Sequence, residues 1–154
     1  MSDWVPHVTV ATTVVNEGKF LLVKEISDGQ IVFNQPAGHL EKDESLIDAA
    51  IRETREETRW EVAIQHYMGV SHYDAPNGIT YIRHSFVATP IREHLDAVLD
   101  KDIIEPLWMT YEEVLAHQDS LRGPLVLDDI TLYRAGKWVD LAFAERRFQA
   151  KITT

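Results

Sequence analysis

The sequence predicts an α/β fold in which strands and helices interleave around one sheet. Three observations predict it. Short runs rich in Val, Ile and Thr, broken by Glu17-Gly18 and Asp28-Gly29, fill the N-terminal part of the chain. An apolar stripe with a 3.6-residue period follows Ser45. Strand-like runs then return and give way to two more helical stretches.

In order, residues 7–15 read as a first strand because Val and Thr dominate them. Glu17-Gly18 makes a turn, and residues 20–25 form a second strand, giving a hairpin. After Asp28-Gly29, residues 31–34 form a short strand that Pro36 ends. Ser45 with Asp48 forms a capping pair, and a helix runs to about Thr58. Its buried stripe is Leu46, Ile47, Ala50, Ile51, Thr54 and Thr58. Ala49 falls on the neighbouring stripe with the acids, where a small side chain leaves room. Residues 62–73 and 79–89 read as strands around Asp74-Ala75-Pro76-Asn77-Gly78, and residues 105–109 as a last strand. Thr110 caps a helix over residues 110–117, and residues 124–135 form a closing helix before Gly136.

Composition narrows the function. At 154 residues the chain is long enough for one domain, residues 1–154, with a proper core. Hydrophobic content of 45% argues against disorder, and no apolar run reaches membrane-spanning length. The N-terminus lacks a signal-peptide layout. With no cysteines, a cytoplasmic location is expected. A net charge of −10 disfavours a nucleic acid polymer as partner. An anionic substrate must then be met by a metal and by locally placed cations.

The most telling segment runs from Gly38 to Trp60. Glu53, Glu56 and Glu57 lie at i, i+3 and i+4, neighbours on one helix face. Like charges at that spacing repel by a few tenths of a kcal/mol per pair. A Glu-rich face is usually just solvated, but a hard divalent ion, Mg²⁺ or Mn²⁺, suits such carboxylates. These acids belong to a longer spaced pattern: Gly38, five residues, Glu44, seven residues, Arg52-Glu53, two residues, Glu56-Glu57.

This pattern resembles the Nudix box of the Nudix hydrolase superfamily. The resemblance implies a mixed β-sheet sandwiched between α-helices, and hydrolysis of phosphate anhydrides with Mg²⁺, Mn²⁺ being the alternative. It implies that Glu53, Glu56 and Glu57, with the carbonyl of Ala37, hold the metal. Arg52 would brace the acids and Glu44 would be an outer acid. A further acid from outside the box is expected at Glu105, with Glu41 as rival, and the general base is a box glutamate or such a loop acid. Two positions depart from the family pattern: Thr54 replaces an aliphatic residue, and Arg59 replaces a glycine that suits a left-handed helix end. If Arg59 is left-handed there, Arg59→Gly is expected to stabilise by roughly 1 kcal/mol.

Asn34, Gln35, His39, His72, Tyr73, Tyr81 and Arg83 are candidates to line a substrate pocket. Each alone is more often a packing or surface residue. Residues 7–11, residues 34–41, residues 121–126 and Tyr133 resemble the NudJ-type Nudix phosphatases. That resemblance implies a small phosphorylated substrate, thiamine-type pyrophosphates or nucleoside di- and triphosphates, with phosphate released. The rival enzymatic reading is a housecleaning nucleoside triphosphate pyrophosphohydrolase. A noncatalytic nucleotide sensor of the same fold would have lost box acids, which are all present. No membrane contact is expected, and the chain is read as a monomer or homodimer.

Overall fold

The computed structural model describes residues 3–148 and 150. The chain runs β1 (His7–Asn16), β2 (Lys19–Ser27), β3 (Gln30–Asn34), β4 (Ala37–His39), α1 (Leu46–Thr58), β5 (Trp60–Asp74), β6 (Thr80–Glu93), β7 (Ile103–Thr110), α2 (Tyr111–Ala116) and α3 (Pro124–Arg134). Single 3-10 turns occupy Gln118–Ser120 and Leu141–Phe143. The strands form a seven-stranded sheet in the order β3-β2-β1-β6-β5, with β4 beside β1 and β7 beside β2. β1 and β6 run parallel, and the other pairings are antiparallel, so the sheet is mixed.

Period-2 alternation sends successive strand residues to opposite faces. On β2, Phe20 and Leu22 pack with Val114 of α2 and with Val126 and Ile130 of α3. Between them Leu21 packs with Val14, Val62 and Ala88. Val10 and Phe86 meet Ala49 and Ala50 of α1. Helices therefore cover both faces, as expected. Fully burying a Leu or Phe stabilises by about 1.5–3 kcal/mol, so these clusters hold the sheet that positions the site.

The strand over residues 31–34 ends before Pro36, as expected, but an unforeseen strand follows it. The chain crosses from β3 to β1 there, Thr12 N–H donates to the Pro36 carbonyl at 3.0 Å, and β4 begins at once. Three paired residues are too few for a periodicity signal. Ala49 also differs from expectation: it is fully buried in the core, so the acid stripe of α1 is shut in on that side. Thr54 is buried where an aliphatic residue would pack, and it shares a hydrogen bond with Thr12 of β1 at 2.7 Å. Its hydroxyl also reaches the Ala50 carbonyl, which leaves no unpaired polar atom at that position.

Both ends of α1 are tied. Ser45 Oγ accepts from Asp48 N–H at 3.0 Å, and Glu145 Oε2 accepts from Leu46 N–H at 2.7 Å. At the far end Arg59 is left-handed, with φ 67°, and its N–H donates to the Arg55 carbonyl at 2.8 Å. Arg59 also holds the following loop. Its Nε donates to the Ala97 carbonyl at 2.9 Å, and its own carbonyl accepts from His94 N–H at 2.8 Å.

The left-handed strain and the bond to Ala97 are each worth about 1 kcal/mol and have opposite signs when Arg59 is removed. Arg59→Gly relieves one and loses the other, so its melting temperature should stay near wild type. Arg59→Ala keeps the strain and loses the bond, and should melt roughly 2–4 °C lower. Thermal melts of the two variants side by side decide this; Ala equal to or above Gly would refute it.

Candidate metal and substrate site

Arg52 organises the box. Its Nε and Nη2 donate to the two oxygens of Glu44 at 2.9 and 2.7 Å. Its Nη1 donates to Glu53 at 2.8 Å and to Glu56 at 3.2 Å. Nη2 also reaches the His39 carbonyl at 3.0 Å. The bonded guanidinium holds Glu44 below the usual carboxylate range and raises the affinity of Arg52 for its own proton. Glu44 turns back as well, accepting from Glu41 N–H at 2.8 Å.

Glu53, Glu56 and Asp100 each offer a carboxylate oxygen, all within 4.8 Å of one another. Burial pushes Glu53 up, with Arg52 opposing and Glu56 and Asp100 adding repulsion. Glu57 lies deeper, accepting from Ala37 N–H at 2.8 Å. Burial pushes its carboxyl up to about 9, and Glu25, Glu53 and Asp100 add to the shift. A concentration of carboxylates this costly to ionise fits a hard divalent cation, which favours oxygen donors and cancels their repulsion. Gly38 makes the approach possible: a Cβ there would sit 2.1 Å from the Glu53 carboxyl carbon.

Sequence reasoning missed Asp100. It sits in the loop between β6 and β7, without periodicity or motif, and its N–H donates to the Glu56 carbonyl at 3.2 Å. Glu105, the acid expected from outside the box, is elsewhere: exposed on β7 opposite Lys24, and not among the clustered carboxylates of the described residues. Its rival Glu41 lies nearer, 3.6 Å from Arg52.

Two cavities flank the box and share Ser27, Asp28 and Arg122. One, of about 450 Å³, is lined by Asn34, Ala37, Gly38, His39, Tyr73, Tyr81 and Arg83 among others. The other, of about 350 Å³, contains Glu25, Glu57 and Asp100. Tyr73 and Tyr81 stack with centroids 6.5 Å apart, and His7 braces His39 through a 2.9 Å contact between ring nitrogens. Burial and the neighbouring His7 lower the proton affinity of His39. Asn34 is buried and donates to Glu25 at 3.3 Å.

Arg83 enters the first cavity from a buried network. Arg83, Gln35 and Ser85 all donate to Asp129 Oδ2 at 2.9 Å. Burial presses Asp129 up and Arg83 down, while their mutual attraction opposes both shifts. Gln35 therefore supports the floor and is not part of the lining. His72 is exposed beside Asp74 and does not line the cavity either.

Residues 5–130 match the NUDIX domain family. The chain therefore belongs to the Nudix family, whose members hydrolyse phosphate anhydrides, and it is an enzyme of that kind. It is 41% identical to Phosphatase NudJ of Escherichia coli K12 over 137 residues, covering 86% of each chain. The same values hold for Phosphatase NudJ of Shigella flexneri. A solved NUDIX hydrolase from Nitrosomonas europaea superposes with a TM-score of 0.90 at 39% identity, covering 93% of this chain and 98% of that one.

Two expected outcomes test the site. Glu57 binds its proton at about 9 in the metal-free fold against 4.5 ordinarily. The folded state thus holds a proton the unfolded chain has released, so this group costs stability increasingly as pH rises through that window. Glu57→Gln can still accept from Ala37 N–H. Metal-free, it should match wild type at acid pH and melt higher at about pH 8, gain less from Mg²⁺, and lose turnover by roughly 10²-fold. Wild-type turnover with an unchanged pH profile of melting would refute the assignment.

Gly38→Ala has no φ penalty, and its closest clash falls on the Glu53 carboxylate. Turnover should drop roughly 10²-fold with the melting temperature little changed. A large loss of stability with intact specific activity would show instead that the glycine serves only the fold.

Proposed function

We propose that the chain is a Mg²⁺-dependent phosphatase of small organic diphosphates, thiamine-type pyrophosphates and nucleoside di- and triphosphates among them, acting in the cytoplasm as a monomer or homodimer. The observation that carries this reading is the aromatic and polar cavity whose lining residue Gly38 lies against the Glu53 carboxylate of the acid cluster. Its size suits one heterocycle with its side arm. Tyr73 and Tyr81 would stack on the planar ring. Arg83 and Asn34 would pair with its polar edge, and such pairing discriminates far more sharply than apolar fit. The similarity to Phosphatase NudJ supports the substrate class.

In this reading Glu53, Glu56 and Glu57, with the Ala37 carbonyl and Asp100 close by, hold Mg²⁺, and Mn²⁺ would serve in its place. The bound ion supplies charge to offset the phosphoryl oxygens and to acidify a water. Arg52 keeps Glu44, Glu53 and Glu56 from rotating away. The N–H of Ala37 aims Glu57, and Gly38 lets Glu53 approach the chain. Glu105, on its exposed strand position, has no part in this set. The heterocycle is held by one end of the site while the acids meet the phosphates at the other, which fixes the scissile bond in place.

The test is kcat/KM for thiamine diphosphate, the aminopyrimidine diphosphate precursor and a set of nucleoside di- and triphosphates at equal free Mg²⁺. The heterocyclic alcohol diphosphates should lead, with phosphate as product. A nucleoside triphosphate leading by tenfold, with pyrophosphate released, would replace this reading with the housecleaning one.

A further inference from the structure

We propose that Arg122 binds the phosphate chain of the substrate where it passes from the heterocycle cavity to the acids. This rests on the function proposed above. Ser27, Asp28 and Arg122 are the residues that line both cavities, so they form the passage between them. Of these three, Arg122 alone is cationic.

The arginine is placed, not trailing. Its Nη1 is fixed to Glu25 Oε1 at 2.8 Å, with the Glu25 side chain 5% exposed and the Arg122 side chain 54% exposed. One end of the guanidinium is therefore anchored in a dry wall while much of the side chain stays open. Its backbone is fixed too: Arg122 N–H donates to the Phe33 carbonyl at 2.9 Å, and Leu121 bridges to Phe33. Glu25 in turn accepts from Asn34, which lines the heterocycle cavity. One short chain of bonds thus links the ring end of the site to the passage.

The surrounding charges leave this task to Arg122. Arg83 is buried, donates to Asp129 and lines only the heterocycle cavity. Lys101 lines only the acid cavity. Asp28 stands in the passage itself, and Glu25, Glu57, Asp100 and Asp102 line the acid side. A diphosphate moving past them meets a negative wall. A guanidinium offers planar, paired donors to phosphate, and Glu25 occupies only part of its fork.

A purely structural arginine, present only to neutralise Glu25, makes a different forecast, and Arg122→Gln and Arg122→Lys separate the two. Calorimetry would measure a methylene-bridged, nonhydrolysable diphosphate analogue and the matching phosphate-free alcohol, each with Mg²⁺. Kinetics and melting would be recorded alongside.

Arg122→Gln should weaken the analogue roughly tenfold or more and raise KM to match, with kcat within about threefold. Arg122→Lys should recover part of the loss. Binding of the phosphate-free alcohol should not change. Unchanged analogue affinity in Arg122→Gln, equal loss for both ligands, loss that only tracks a fall in melting temperature, or no analogue binding by the wild type would each overturn the inference. If the wild type binds the analogue through Arg122 yet turns over no organic diphosphate, the proposed function fails and this inference stands.

Discussion

One guanidinium holds the site together. An arginine has five N–H donors, and Arg52 uses its Nε and both Nη atoms on Glu44, Glu53, Glu56 and the His39 carbonyl. Three carboxylates that would otherwise repel are held at fixed positions by one planar fork. A lysine would supply the charge without the geometry, because a point charge cannot address both oxygens of Glu44 and still reach Glu53. The bond to His39 does more than add energy. It ties helix α1 to strand β4, so the helical acids are fixed against the strand that carries Gly38. The remaining features of the site fit around this constraint.

Helix α1 can bear such a load because both its ends are fixed from far along the chain. Glu145 closes its N-terminus, and Arg59 closes its C-terminus while holding the loop that leads to Asp100. The family glycine at position 59 would free the helix end from strain without reaching Ala97. The arginine accepts strain and gains that reach. At position 54, Thr replaces an aliphatic side chain, but Thr12 on β1 supplies a matching hydroxyl. Both departures from the family pattern are thus answered by a partner elsewhere in the fold, and neither touches the acids.

What was legible in the sequence follows the range of the interactions involved. The box acids could be read because a helix turns sequence spacing into spatial spacing, and Ser45 and Thr110 could be read because capping is local. The mixed sheet came with the family resemblance, and the fold agrees with it. Strand β4 was missed because its pairing with β1 is set by the crossing at Pro36. Asp100 and Arg122 sit in connecting segments, and only the tertiary fold brings them to the box. Glu105 was the natural guess for an outside acid, standing just before Pro106 in a strand, yet that strand pairs it with Lys24. Arg83 could be listed as a candidate, but Asp129, which fixes it, is 46 residues away in sequence.

The chain is strongly acidic, and this makes its few buried or anchored arginines informative. Each is bound to a specific acceptor: Arg52 to the box acids, Arg59 to the Ala97 carbonyl, Arg83 to Asp129, Arg122 to Glu25. An exposed ion pair contributes little to stability, but a pair with one dry partner fixes direction. The result is positive charge distributed by position, with none to spare as a general field. A nonspecific polyanion would meet repulsion over most of this surface. Around the two cavities the cations are placed singly: Arg83 at the ring cavity, Arg122 at the passage and Lys101 at the acid cavity. Selectivity for the proposed small anionic substrate would then rest on where these cations are held, more than on how many there are.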